Sequence, residues 1–152
     1  MPLRLEIRET IAAPPDRVFA ALSDPDSLGK WMKGLVRVEH LDGPPSGKGK
    51  RFRQVRRMFG REAAEVFEIT GFDPPRSFDL FVDGRQGSSK KGEFRFHYEL
   101  LPKGGGTEVV MTGEISGMGR FWEFLGKMLG GMMRKALAKE LAAFKAFVEK
   151  GG

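Results

Sequence analysis

The chemistry open to this chain is narrow. Its 152 residues include no cysteine and two histidines, His40 and His97. That excludes a thiol nucleophile, a disulfide scaffold and any thiolate or histidine-rich metal centre. No resident cofactor or metal is expected. No glycine-rich loop leads into a Lys-Ser/Thr helix, and neither an HExxH run nor a serine elbow occurs. Gly104-Gly105-Gly106 leads into a strand pattern, so it reads as a hairpin turn. His97 has the chemistry of a base, yet it alternates against the aromatic row Phe94, Phe96 and Tyr98 and is expected to face solvent. No catalytic residue is assigned.

More informative polar groups lie between Lys48 and Arg61. Lys48, Lys50, Arg51, Arg53, Arg56, Arg57 and Arg61 crowd there, in a chain of net charge +6. One reading is a solvated strand whose long stems snorkel over their neighbours. The other is a surface for an anionic partner. No aromatic residues alternate with these arginines as a base-stacking platform would require, so no DNA partner is expected. A membrane surface remains a candidate partner. Parity decides which of these groups turn inwards. If Phe52 and Met58 face the interior, Gln54 and Arg56 share that face; if Val55 and Phe59 do, Arg53 and Arg57 take their place. A guanidinium inside needs a partner, because an unpaired buried charge is very costly. Glu68, Tyr98 or a ligand carboxylate could supply one, unless strand twist carries these groups to water.

Strands must position these side chains. Leu3 to Ile11 alternates apolar and charged residues, the period of a half-buried antiparallel strand. Pro15 and Asp16 open a short helix with Val18, Phe19 and Leu22 on its apolar face. Asp24 and Pro25 cap a second, which carries Leu28, Trp31 and Met32 and stops at Gly34. Six strand patterns follow, over 35–41, 51–59, 63–72, 78–82, 93–101 and 109–115, separated by Gly and Pro turns.

From Met118 to Lys150 the pattern turns helical, but its apolar stripe changes direction. Phe121, Leu125, Met128, Leu129 and Met132 share one face; Met133, Leu137, Leu141, Phe144 and Val148 share another. Gly130-Gly131 sits at the changeover, and paired glycines bend helices. A bend there is expected, with the first cluster lining the open end of a cavity.

An amphipathic helix of this length needs an apolar surface, and a curved sheet offers a concave one. A cavity lined by Phe, Met and Trp follows, of the kind that binds small molecules. Its candidate lining is Trp31, Gln54, Arg56, Phe94, Phe96, Tyr98, Met111, Phe121, Leu125, Met128 and Met132. The first residues carry no signal-peptide core, and no apolar run approaches the roughly 20 residues of a membrane span. One cytoplasmic domain over residues 1–152 is expected.

The element order resembles the helix-grip fold of the START/Bet v 1-like (SRPBCC) superfamily, and within it the polyketide cyclase/dehydrase-like group. The matching residues are Ile11-Ala12-Ala13-Pro14 leading to Val18-Phe19-Ala20-Ala21-Leu22-Ser23-Asp24-Pro25, then Leu28 and Trp31. Gly47-Lys48-Gly49, Phe72-Asp73-Pro74-Pro75-Arg76 and Gly105-Gly106-Thr107-Glu108-Val109 extend the match over nearly the whole chain. The resemblance implies an α+β fold: a seven-stranded antiparallel sheet curved around a long C-terminal helix, with two short helices after the first strand. It implies binding or transport of a small hydrophobic ligand, lipid, polyketide or isoprenoid-like. Two alternatives are a cyclase or dehydratase using a cavity Arg, Tyr or Glu, and a macromolecule-binding protein of the Hsp90-activator-like or ribosome- or quinone-associated type. The matched residues are turns, caps and packing positions, so they specify fold and not activity.

Overall fold

The computed structural model describes residues 3–58 and 60–152. Strand β1 (Leu3–Ile11) is followed by helix α1 (Pro15–Leu22) and a 3-10 turn (Pro25–Lys30). Strands β2 (Leu35–His40), β3 (Arg51–Met58), β4 (Arg61–Asp73), β5 (Ser77–Asp83), β6 (Glu93–Lys103) and β7 (Gly106–Ser116) come next. The chain closes with short α2 (Arg120–Phe124) and long α3 (Gly126–Glu149). The strands form one antiparallel sheet in the order β1-β7-β6-β5-β4-β3-β2. This is the helix-grip arrangement: a meander from β2 to β7, with β1 returning to pair with β7.

The first helix forms as its residues dictate. Pro15 occupies its start with Asp16 in the first turn, and Val18, Phe19 and Leu22 are buried. The second expected helix is a single 3-10 stretch, shorter than its pattern suggests. Asp24 caps it by accepting a hydrogen bond from the Asp26 N–H at 2.9 Å, and Trp31 ends it.

Helix α3 buries Leu141, Phe144 and Val148 against Ile7, Ile11, Val18 and Val109. Each such side chain, fully buried, stabilises the fold by about 1.5–3 kcal/mol. Its C-terminal end is also anchored by polar contacts. Arg17 Nη2 donates to the Val148 carbonyl at 2.5 Å, and the Ala12 N–H donates to Glu149 Oε2 at 2.8 Å. A cation at the last carbonyls suits both their lone pairs and the helix dipole.

The helix does not break at Gly130-Gly131. Helix α3 runs unbroken through both glycines, and the interruption lies at Leu125, between α2 and α3. Gly130 has a different role: a Cβ there would lie 2.9 Å from Leu3 Cδ1, so the missing side chain lets α3 lie close to β1. Gly131 faces open space. The first apolar cluster is only partly covered, with Leu125 and Leu129 half-buried. Phe121, Met128 and Met132 stand in solvent, and so does Phe124.

Candidate functional site: a cavity between sheet and helix

Side chains that alternate onto the concave face of the sheet define the site. On β6, Phe96 and Tyr98 face inwards, paired with Leu80 and Phe78 of β5. On β3 the parity resolves in favour of Phe52, Gln54 and Arg56; Phe59 lies outside the described residues. Together with Met111 of β7, Trp31 and Met32 beyond the 3-10 turn, and Leu137, Glu140 and Leu141 of α3, they enclose about 140 Å³. An open cleft of about 370 Å³ adjoins this space and shares Gln54, Arg56, Phe67 and Phe96 with it. Phe94 lines that outer cleft, not the inner cavity. Phe121, Leu125, Met128 and Met132 line neither. The expectation that they close the cavity's open end is therefore corrected: Phe121, Met128 and Met132 stand in solvent and Leu125 is half-buried outside the cavity.

The walls are mainly apolar, so the few polar atoms decide what the cavity can recognise. The Trp31 ring packs edge-on against Phe144 with centroids 5.1 Å apart. Its Nε1–H is buried and has no hydrogen-bond partner among the described residues. A buried donor left unmatched costs about 1–3 kcal/mol. Tyr98 stacks on Phe78 at 4.7 Å, and its hydroxyl has no partner among the described residues. Burial pushes the Tyr98 phenol well above its usual range, and the nearby Glu140 carboxylate pushes it the same way. The hydroxyl therefore stays protonated, a donor at neutral pH. Gln54 is already engaged, its Nε2 donating to Met32 Sδ at 2.8 Å.

Arg56 and Glu140 form an ion pair that ties β3 to α3 at the edge of the cavity. Glu140 is not among the residues singled out from the sequence, although its position carries a signal. At 100° per residue it lies on the apolar face of α3, beside Leu137 and Phe144. The partner suggested for an inward arginine, Glu68, instead lies 4.0 Å from Arg51.

The rest of the basic cluster is largely matched by carboxylates. Arg51 pairs with Asp42 at 2.6 Å and Arg53 with Glu39 at 2.7 Å. Hydrogen bonds from Arg37 and Arg53 hold the Glu39 carboxyl below the usual range, and Arg51 does the same for Asp42. Lys50 is buried against His40 Nδ1 at 3.1 Å. The cluster reads as cross-strand pairing on a sheet surface. On the convex face, His97 Nδ1 meets Asp79 Oδ1 at 2.6 Å, away from the cavity lining.

Comparisons with known proteins bear on this architecture. The crystal structure of Ara h 8.0201 superposes with a TM-score of 0.78 at 16% identity, covering 99% of this chain and 100% of that one. The TTHA0849 protein of Thermus thermophilus gives 0.77 at 22% identity, with 95% and 96% covered. A protein from Rhodobacter sphaeroides gives 0.74 at 25% identity, with 96% and 92% covered. Among curated proteins, no sequence matches. The family model described as "Polyketide cyclase / dehydrase and lipid transport" matches residues 2–149. With that match spanning almost every element that builds the cavity, the chain belongs to this family, within the START/Bet v 1-like superfamily.

Proposed function

We propose that this protein binds a small, uncharged hydrophobic molecule carrying an acceptor oxygen, in the cavity between sheet and α3. One observation carries the reading: an apolar cavity bordered by two hydrogen-bond donors, Trp31 Nε1 and the Tyr98 hydroxyl, that no described residue satisfies. A carbonyl or ether oxygen in the cavity gives the buried Trp31 N–H the acceptor it lacks, and the Tyr98 hydroxyl offers a second donor to such a ligand. The inner volume matches a single ring, since an engineered apolar cavity of about 150 Å³ admits benzene. A longer ligand continues past Phe96 and Arg56 into the outer cleft. The family description, which names lipid transport, agrees with this class of ligand.

A second reading rests on the same walls. Arg56, Glu140 and Tyr98 converge on the cavity, and a protonated phenol beside a carboxylate can polarise a carbonyl or move a proton. Under that reading the family's cyclase/dehydrase label applies, with Tyr98 as the donor.

The test compares acetophenone with ethylbenzene, nearly the same shape with and without the oxygen, by calorimetric titration. We expect the ketone to bind at least about fivefold more tightly, as one well-placed hydrogen bond provides. Equal affinities, or no binding of either, would overturn the reading. Turnover of an aldol-competent diketone, lost in Tyr98→Phe, would select the enzyme.

A further inference from the structure

The large apolar side chains at the start of the C-terminal helices serve neither core nor cavity. Phe121 and Phe124 on α2, and Met128 and Met132 on α3, are 72%, 84%, 59% and 64% exposed. Soluble surfaces rarely gather such side chains in one place without a partner. Along α3, at 100° per residue, Met128 and Met132 lie opposite Leu137, Leu141 and Phe144. No rotation of the helix could bury both sets.

The charges around this patch say what would cover it. Lys135 and Lys139 continue the face of Met128 and Met132 over the next two turns. Arg120 opens α2, Lys127 follows the break, and Lys91 Nζ lies beside Gly119. None of these four helical cations forms an ion pair among the described residues. From Gly119 to Lys139 the sequence holds one acid, Glu123.

We propose that this face docks on an anionic lipid bilayer. The Phe and Met tips enter the boundary between headgroups and acyl chains, and the cations meet the anionic headgroups while their stems snorkel. Among the described residues no helix is long and apolar enough to cross a membrane, so the segment lies on the surface. A second copy of the chain fits less well, because a two-fold contact through this face would set the cationic ring against itself. The proposal holds whatever the cavity binds.

Sedimentation with sucrose-loaded vesicles tests it, comparing pure phosphatidylcholine with phosphatidylcholine containing phosphatidylglycerol. The wild-type chain should sediment with the anionic vesicles, less so as salt is added. Phe124→Ser/Met128→Ser should weaken this at least about tenfold, and Lys135→Glu/Lys139→Glu should abolish the preference for anionic lipid. Thermal melting by circular dichroism should be unchanged in both variants, since all four side chains are exposed. A wild-type chain that stays in the supernatant overturns the proposal, as does vesicle binding that neither variant alters. A dimer seen by analytical ultracentrifugation and lost in Phe124→Ser/Met128→Ser, with no vesicle binding, would assign the face to self-association instead.

Discussion

The two halves of the C-terminal helical region use similar residues to opposite ends. From Met133 to Val148 the apolar stripe packs against β1 and α1, and Arg17 and the Ala12 N–H tie its end to the fold. Between Phe121 and Met132, by contrast, Phe121, Phe124, Met128 and Met132 point into solvent and only Leu125 and Leu129 of the stripe are half-buried. Exposing each large apolar side chain forgoes about 1.5–3 kcal/mol that burial would supply. The contrast teaches that periodicity reports which residues share a face, not what that face meets.

Truncating one side chain in each half should expose the largest difference between them. Phe144→Ala should destabilise by about 3–5 kcal/mol, because Phe144 is wholly buried and touches Trp31. Met132→Ala should stay within about 0.5 kcal/mol of wild type, as exposed substitutions do. Phe94→Ala, in the half-buried outer cleft, should fall between them, and a bound ligand that reaches the cleft should restore part of the loss. Chemical denaturation of the three variants orders them. Equal losses at 132 and 144 would mean that the first half is packed after all.

The link between sheet and helix gives a smaller effect. Glu140→Gln removes one member of the Arg56 pair, whose side chains are only partly screened by water, and should cost roughly 1–2 kcal/mol. It also removes the lesser of two influences on Tyr98. Tyr98 is the chain's one tyrosine, so alkaline ultraviolet titration reads it alone. Its folded pKa is raised, so the folded chain holds the proton that the unfolded chain gives up. Stability contributed by Tyr98 is therefore complete below about pH 10 and declines as pH rises above it. In Glu140→Gln the phenol should titrate lower than in wild type yet remain above the ordinary value, because burial is the larger cause. An ordinary titration in the wild type would contradict the burial of Tyr98.

The smallest effect separates the two glycines. Gly131→Ala should stabilise by about 0.4–1 kcal/mol, since it faces open space in a helix. Gly130→Ala should gain less, because the Leu3 side chain must move aside. Equal gains in thermal melts would remove the close approach of α3 to β1 as the reason for Gly130.

Much of the fold was legible in the sequence for physical reasons. Strict alternation in β1 and β6 leaves one register that buries the apolar side chains, so Phe96 and Tyr98 face inwards as their parity requires. On β3 parity was ambiguous, since Phe52 and Val55 sit on opposite faces and both are buried. Only the neighbouring strands, which pair Phe52 with Phe67 and Gln54 with Glu65, decide it. Trp31 and Met111 border the cavity, while Gln54 and Arg56 were one of two alternatives on β3; Glu140 was hidden, because a carboxylate on a helix reads first as solvated. The assumption that failed was that every apolar cluster must be buried within the same chain. Phe121, Met128 and Met132 stand exposed, and a surface with an external use escapes that rule.

If the donors bordering the cavity select an oxygen-bearing apolar ligand, as proposed, the Trp31 N–H must report its arrival. The most direct test is the indole N–H resonance of Trp31 in a proton–nitrogen correlation spectrum, assigned by its loss in Trp31→Phe. On titration with acetophenone that resonance should move downfield, as a newly hydrogen-bonded N–H does, while ethylbenzene should leave it nearly in place and the Trp122 resonance should respond to neither. A Trp31 resonance that shifts equally with both compounds, or with neither, would contradict the claim.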